Sequence, residues 1–172
     1  MTVKYDFSGL SIMVVDDNSF MTKIVGQIMN AMRISDVVGF VDPVEAFAHL
    51  VDWTPDLIIV DWVMDPVNGE EFVRMIRSSP GHVKYVPIIV LTGHATKQLV
   101  QKARLAGSDY SISKPVSLSH LYKAFEHLIR KDRVFFETPK YFGPDRRRKQ
   151  RNFEAADRRH NAAEPIPTPH VE

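Results

Sequence analysis

The sequence predicts an α/β fold, a doubly wound parallel sheet of five strands that alternate with five helices. Aliphatic runs without polar alternation are typical of strands covered on both faces, as in a parallel sheet. Segments with helical spacing separate these runs over roughly 125 residues. Because right-handed crossovers place helices on both faces of such a sheet, the alternation favours a doubly wound domain.

The first half of the chain supplies three strands and two helices. Residues 12–15 form the first aliphatic run, and Asn18 or Ser19 can cap the helix that follows. The apolar positions expected to face inward on that helix are Phe20, Ile24, Ile28 and Met32. A short strand at residues 37–41 leads into Asp42 and Pro43, a cap and a favoured first helical residue. Residues 57–60 are the third run.

The second half continues the pattern to about residue 131. A turn-forming stretch at residues 65–69 precedes a helix that Pro80 and Gly81 end. The fourth run, residues 88–91, is followed by a helix over residues 96–106 that Gly107 is placed to end. A weaker run at residues 110–113 precedes a last helix over about residues 119–131.

Polar side chains follow four of these runs at the point where each ends. Asp16 and Asp17 follow the first run, Asp61 the third, Thr92 the fourth and Lys114 the last. Ligands of parallel sheets collect beyond the carboxyl ends of the strands, so these side chains are expected to converge on one crevice.

The residue types point to phosphoryl chemistry with a metal ion. Three crowded carboxylates repel one another, so the cluster favours a cation, and a site made only of oxygen ligands suits Mg²⁺. Asp61 is the candidate nucleophile, because a carboxylate after a rigid strand can be phosphorylated to an acyl phosphate. Thr92 and Lys114 supply a hydroxyl and an ammonium for the charge that develops on the phosphoryl oxygens. Taken singly, each of these residues is more often a cap or a surface residue.

The chain resembles the receiver domain of two-component response regulators, the chemotaxis-type single-domain kind, over approximately residues 9–131. The motifs that carry the resemblance are Val14-Val15-Asp16-Asp17, Ile58-Ile59-Val60-Asp61-Trp62-Val63-Met64, Gly69, Val90-Leu91-Thr92-Gly93, Ala106-Gly107 and Lys114-Pro115. Each motif is weak alone, but their order and spacing together are specific.

The resemblance implies a flavodoxin-like fold and a role in phosphorelay signalling. It implies that Asp61 accepts a phosphoryl group from a phosphohistidine on a histidine kinase or histidine phosphotransfer protein. Asp17, Asp61 and the backbone carbonyl of Val63 would hold Mg²⁺, with Asp16 assisting through water, while Thr92 and Lys114 would contact the phosphoryl group. The output would be binding to a downstream protein target, without enzymatic turnover of an external substrate.

Several positions depart from the family pattern. Asp65 stands where proline is usual four residues after the acceptor, and proline is displaced to Pro66. Ser111 stands where the family has a switch aromatic, and Tyr110, one residue earlier, is expected on the opposite face of its strand. Val63 and His94 occupy positions that tune the lifetime of the acyl phosphate in the family.

Composition sets the domain boundaries and excludes several classes of site. The chain has 172 residues and no cysteine, which excludes disulfides and thiolate zinc sites. Residues 1–131 carry 13 basic and 14 acidic residues and are assigned to the receiver domain. Residues 132–172, with 9 basic and 7 acidic residues, are expected to form a mostly irregular tail punctuated by proline. Aromatic residues suggest that part of this tail docks on the domain: Phe135, Phe136, Tyr141 and Phe142.

Two other functions are compatible with parts of the sequence. The Arg-rich stretch at residues 146–151 and a second Asp-Arg-Arg at residues 157–159 allow a nucleic-acid-binding regulator, although acidic residues lie within the cluster. A phosphohydrolase acting through Asp61 would need a second acid two residues later, where this chain has Val63. The N-terminus lacks the hydrophobic region of a signal peptide, and no run is long enough to span a membrane, so a cytoplasmic location without membrane contact is expected.

Overall fold

The computed structural model describes residues 5–93, 96–130, 134–138, 141–144 and 165–167. Within these residues a five-stranded parallel sheet has the strand order β2-β1-β3-β4-β5. Its strands are β1 (Ser11–Val15), β2 (Asp36–Phe40), β3 (Leu57–Asp61), β4 (Ile88–Thr92) and β5 (Tyr110–Ser113). The helices between and after them are α1 (Ser19–Ala31), α2 (Pro43–His49), α3 (Gly69–Ser78), α4 (Lys97–Ala106) and α5 (Leu118–Arg130). The predicted fold class is therefore confirmed.

The strands form because their aliphatic residues are buried on both faces of the sheet. Every residue of β3 and β4 is buried. One apolar core lies between the sheet and α2, α3 and α4, and a second lies between the sheet and α1 and α5. This two-sided burial explains why the strands read as continuous apolar runs.

Side-chain caps fix where several helices begin. The side chain of Asn18 accepts a hydrogen bond from the backbone N–H of Phe20, and Asp42 does the same for Val44. Asn68 and Glu71 form a reciprocal capping box at the start of α3. These caps set the helix starts immediately after the carboxyl edge of the sheet, where the candidate site lies.

The inward face of α1 agrees only in part with the predicted one. Ile28 and Met32 pack against the core beside the fully buried Val25 and Met29, whereas Phe20 is 66% exposed. A step of four residues drifts around a helix of 3.6 residues per turn, so the predicted stripe could not hold one face over the whole helix.

The described part of the C-terminal tail forms strands, whereas the expectation of a mostly irregular tail stays a prediction for residues 132–172 as a whole. Strands β6 (Val134–Thr138), β7 (Tyr141–Pro144) and β8 (Pro165–Pro167) form a second sheet, antiparallel, in the order β7-β6-β8. The prolines of these strands lie in the two edge strands, where a missing N–H interrupts no central ladder. Prolines at these positions are therefore compatible with the strands.

The tail docks on the domain through Phe135 and Phe142, two of the four predicted aromatic residues, while the side chain of Phe136 lies outside the described part. Phe135 is fully buried, and its ring contacts those of Tyr85 and Phe142 at centroid distances of 5.1 Å and 5.3 Å. The Arg-rich stretch at residues 146–151 lies outside the described residues. The nucleic-acid hypothesis based on it stays a prediction.

Candidate acidic site

The predicted polar residues lie together at the carboxyl edge of the parallel sheet. Asp16 and Asp17 follow the last residue of β1, Asp61 ends β3, Thr92 ends β4, and Lys114 follows β5. The strand registers keep these ends level, since Val15 pairs with Val60, Asp61 with Leu91, and Thr92 with Ser113. In addition, the backbone N–H of Lys114 donates to the carbonyl of Thr92 at 2.7 Å.

Lys114 joins two of the buried carboxylates. Its Nζ lies 2.9 Å from Oδ2 of Asp16 and 3.0 Å from Oδ1 of Asp61. Asp16 is 1% exposed and Asp61 6% exposed, while the Lys114 side chain remains 22% exposed. The ammonium group therefore bridges two strands at the floor of the site and is still reached by solvent.

The site carries more negative charge than Lys114 can neutralise. Carboxylate oxygens of Asp16, Asp17 and Asp61 all lie within 4.8 Å of one another. Asp17 is exposed, so the cluster opens to solvent on its side. Three carboxylates facing one ammonium form an oxygen-only donor set that matches the preference of Mg²⁺.

Burial and the neighbouring charges shift two pKa values in the site. Burial raises the pKa of Asp61, its hydrogen bond and ion pair with Lys114 lower it, and the nearby Asp16 raises it again, with a net shift upward. Burial alone would lower the pKa of Lys114, but its bonds to Asp16 and Asp61 outweigh this and raise it. Lys114 is thus held as a cation, whereas Asp61 lies in surroundings that disfavour its charge.

Backbone groups orient the two buried acids. The N–H of Asn18 donates to Oδ1 of Asp16 at 3.0 Å, and the N–H of Trp62 donates to Oδ1 of Asp61 at 2.9 Å. Sequence reasoning missed both donors, because no residue type signals where a backbone N–H points.

Gly69 allows the loop after β3 to close tightly behind Asp61. A Cβ at this position would lie 2.7 Å from the Cα of Trp62, a distance that real Cβ atoms essentially never show. The N–H of Gly69 donates to the carbonyl of Trp62 at 3.0 Å. Any larger residue at position 69 would therefore push on the backbone that carries Asp61.

The remaining predicted positions lie around the acidic site and on β5. Val63 is 70% exposed, and the role of its carbonyl as a metal ligand stays a prediction.

Tyr110 packs against α5, with its ring 5.2 Å from that of His127, and it shares the α1–α5 core with Ile112. Ser111 therefore stands on the face of β5 toward α4, as alternation predicts. Asp65 is exposed, and His94 lies outside the described residues.

Comparison with known proteins identifies the family. Residues 12–126 match the family model of the response regulator receiver domain. The chain therefore belongs to this family, the receiver domains of two-component signalling systems.

Curated relatives and solved structures agree with this assignment. The chain is 33% identical over 122 residues to the chemotaxis protein CheY1 of Helicobacter pylori, a match covering 70% of this chain and 97% of CheY1. It is 28% identical over 118 residues to the protein PilG of Pseudomonas aeruginosa, covering 69% of this chain and 86% of PilG. The chemotaxis response regulator CheY4 of Vibrio cholerae superposes with a TM-score of 0.64 at 25% identity, covering 69% of this chain and 98% of CheY4.

A further structure of the same fold contains a metal ion. The receiver domain of a sensor histidine kinase from Pseudomonas aeruginosa has a magnesium ion coordinated in its active-site cleft. It has a TM-score of 0.64 and 23% identity, and the match covers 72% of this chain and 99% of that domain. Within the described part of this chain, no helix has the length and apolar character needed to cross a membrane.

Proposed function

We propose that this protein is a phosphorelay response regulator whose phosphoacceptor is Asp61. The observation that carries the proposal is the position of Asp61, which ends β3 with one oxygen 3.0 Å from Lys114 Nζ, inside a cluster of three carboxylates. Excess negative charge at the carboxyl edge of the sheet costs stability, and a bound metal ion would offset this charge and assist the transfer of a phosphoryl group.

The donor set fits Mg²⁺, which would be held by Asp17, Asp61 and the backbone carbonyl of Val63, with Asp16 acting through water. The fit rests on carboxylate oxygens within 4.8 Å of one another, one side of which is open to solvent. When bound, the ion supplies neutralising charge next to the transferred phosphoryl group. The exposure of Asp17 leaves room for the water molecules that Mg²⁺ usually keeps.

The reaction is an in-line transfer from a phosphohistidine of a partner protein. A carboxylate oxygen of Asp61 forms the new P–O bond while the P–N bond to the partner's imidazole breaks, and the imidazole nitrogen keeps the electron pair. The ammonium of Lys114 and the hydroxyl of Thr92 contact the phosphoryl oxygens and stabilise their charge. Lys114 is already positioned for this by Asp16, so little reorganisation is needed.

The partners are a histidine kinase or histidine phosphotransfer protein and a downstream protein target. Resemblance to the CheY proteins supports output by protein–protein binding rather than by turnover of a substrate. A cytoplasmic location belongs to the same proposal. Because Ser111 replaces the usual aromatic residue, the phosphorylated state is transmitted by elements other than a rotating ring on β5.

Intact-protein mass spectrometry after treatment with acetyl phosphate tests the proposal. With Mg²⁺ the wild-type protein gains one phosphoryl group, and a chelator prevents the gain. Asp61→Asn abolishes it, whereas Asp65→Asn, which removes an exposed acid of the same loop, leaves it unchanged. Unchanged labelling of Asp61→Asn would place the acceptor elsewhere and contradict the proposal.

A further inference from the structure

A buried arginine at the amino edge of the sheet joins four parts of the fold. Arg77 Nε donates to the carbonyl of Gly107 at 2.9 Å, and its Nη1 donates to those of Lys84 and Val86, both at 2.8 Å. Its Nη2 lies 2.9 Å from Oδ2 of Asp109, and the two side chains are 3% and 4% exposed. We call Arg77, Asp109 and these three carbonyls the Arg77 cluster.

The C-terminal hairpin formed by β6 and β7 packs on this cluster through aromatic rings. The Phe135 ring lies 5.5 Å from the Arg77 guanidinium carbon. The Lys84 ammonium lies 4.7 Å from the centre of the Phe142 ring and 5.3 Å from that of Tyr85. Cation–π contacts of this kind each contribute a modest attraction, so the hairpin is attached by several weak contacts rather than by one strong bond.

At one point the hairpin touches the end of α4 with no side chain between the two backbones. A Cβ on Gly143 would lie 3.2 Å from the Cα of Gly107, and a Cβ on Gly107 would lie 3.1 Å from the carbonyl oxygen of Phe142. Gly107 has a φ of 110°, a conformation that glycine adopts without strain. Because the two backbones approach so closely here, a displacement of the α4 C-terminus weakens the contact with the hairpin.

The elements held by the Arg77 cluster reach the acidic site at their other ends. Asp109 also accepts a hydrogen bond from the N–H of Ile88, the first residue of β4, at 2.9 Å. β4 ends at Thr92, β5 is followed by Lys114, and α4 begins shortly after Thr92. A ten-residue helix such as α4 is about 15 Å long, so it connects the neighbourhood of Thr92 to the hairpin as one rigid body.

The buried side chains of α4 that face the sheet are small. The buried residues of α4 are Ala103 and Ala106, and Ser111 stands on the face of β5 toward this helix. Small side chains interlock less deeply than aromatic ones, so a shift of α4 requires no rotation of a large ring.

We propose that the C-terminal hairpin reports phosphorylation in this protein: a phosphoryl group on Asp61 shifts α4 and loosens the hairpin from the Arg77 cluster. The inference rests on the proposed function, since it takes Asp61 as the acceptor. The inference goes beyond the proposed function because it names the C-terminal hairpin, rather than an aromatic residue on β5, as the element that responds to phosphorylation. Coupling of this kind is reciprocal, so loosening the hairpin also favours occupancy of the acidic site.

Hydrogen–deuterium exchange of the amides in residues 134–144 tests the coupling in the full-length chain. With acetyl phosphate and Mg²⁺ in excess, and full phosphorylation confirmed by intact mass, exchange is expected to become at least about fivefold faster, the lower limit of typical allosteric coupling. Asp61→Asn under the same conditions should show no change. Exchange that stays within twofold on full phosphorylation overturns the inference, as does a hairpin that exchanges at the unfolded rate beforehand. A missing mass gain contradicts the proposed function instead.

A mild variant tests the reverse direction. Lys84→Met removes the charge beneath the rings but keeps an apolar stem, and two- to fivefold faster hairpin exchange is expected, the range of a single exposed cation–π contact. The affinity for beryllium trifluoride, a phosphoryl mimic, in the presence of Mg²⁺ should rise as well, by at most the same factor. Lys123→Met, an exposed lysine on α5, is the matched control and should change neither quantity. Faster hairpin exchange in Lys84→Met together with a lower affinity for the mimic would overturn the coupling.

Discussion

The acidic site and the Arg77 cluster contain similar ion pairs at opposite edges of one sheet. In each, a nitrogen of a basic side chain lies 2.9 Å from a buried carboxylate oxygen, between Lys114 and Asp16 in one and Arg77 and Asp109 in the other. Distance and burial of the acid therefore do not distinguish the two regions.

Charge balance and solvent access do distinguish them. Among the described residues, Arg77 pairs with one carboxylate and donates to three carbonyls, so its charge is matched and enclosed. Lys114 faces a cluster of three carboxylates and is 22% exposed. A matched, enclosed pair holds elements together, whereas an unmatched, open one retains affinity for a further cation. The excess of carboxylates and the access to solvent make the acidic site the candidate functional site.

The largest expected difference between the regions concerns stability. Arg77→Met leaves Asp109 buried without its partner and should lower the free energy of unfolding by about 3–5 kcal/mol. Lys114→Met should lower the free energy of unfolding by a smaller amount. Mg²⁺ should offset the stability lost in Lys114→Met but not the stability lost in Arg77→Met. Denaturant titrations with Mg²⁺ and with chelator measure both. Equal losses of stability in the two variants, independent of Mg²⁺, would contradict the distinction between the regions. The double variant Arg77→Met/Asp109→Asn should recover part of the stability lost in Arg77→Met.

Magnesium should stabilise the protein through the acidic site alone. At a free Mg²⁺ concentration one hundred times the Kd, the free energy of unfolding should rise by about 2.7 kcal/mol. Asp17→Asn should remove most of this gain without harming the metal-free protein, since Asp17 is exposed. Asp65→Asn serves as the control and should keep the gain. Thermal melts across a Mg²⁺ titration check this, and full stabilisation of Asp17→Asn would exclude that residue as a ligand.

A buried hydroxyl next to Asp109 gives a smaller test of the Arg77 region. Ser108 is fully buried, and its Oγ is the one buried side-chain polar atom without a hydrogen-bond partner among the described residues. Ser108→Ala should raise the free energy of unfolding by about 1 kcal/mol, because an unpaired buried hydroxyl costs desolvation energy. Ser78→Ala, which removes a hydroxyl bonded to the Arg74 carbonyl, should give no gain in the same denaturation assay.

The smallest effect concerns Asp61 in the metal-free protein. Its folded-state pKa is raised, so the ionised carboxylate is a net cost to the folded state at pH values above that pKa. Asp61→Asn should therefore unfold at a slightly higher temperature than wild type at pH 7 in chelator. The difference should shrink as the pH falls through the raised pKa, where Asp61 becomes neutral. A difference that grows on acidification would show that the pKa is lowered instead.

The sequence predicted the acidic site well because its signal is local. Each functional side chain directly ends or follows an aliphatic run, and the parallel sheet alone brings those ends together, so Asp16, Asp61 and Lys114 could be placed without coordinates. The exposed Phe20 shows the limit of such reasoning, since a helix face depends on a few degrees of rotation.

The Arg77 cluster could not be predicted in the same way. Arg77 and Asp109 are 32 positions apart, and an arginine near the end of an amphipathic helix usually faces solvent. The other partners of Arg77 are backbone carbonyls, which no residue type reveals. The docked hairpin was visible only as a group of aromatic residues, because the prolines beside it hid the strands.

Borohydride reduction of the phosphorylated protein, followed by peptide mass spectrometry, identifies the residue that carries the phosphoryl group. An acyl phosphate on an aspartate is reduced to homoserine, so the position of the homoserine identifies the acceptor. We expect homoserine at position 61 alone, formed only when Mg²⁺ is present during phosphorylation. Homoserine at another acid, or at position 61 irrespective of the metal, would contradict the assignment of the unbalanced acidic cluster as the site of phosphoryl transfer.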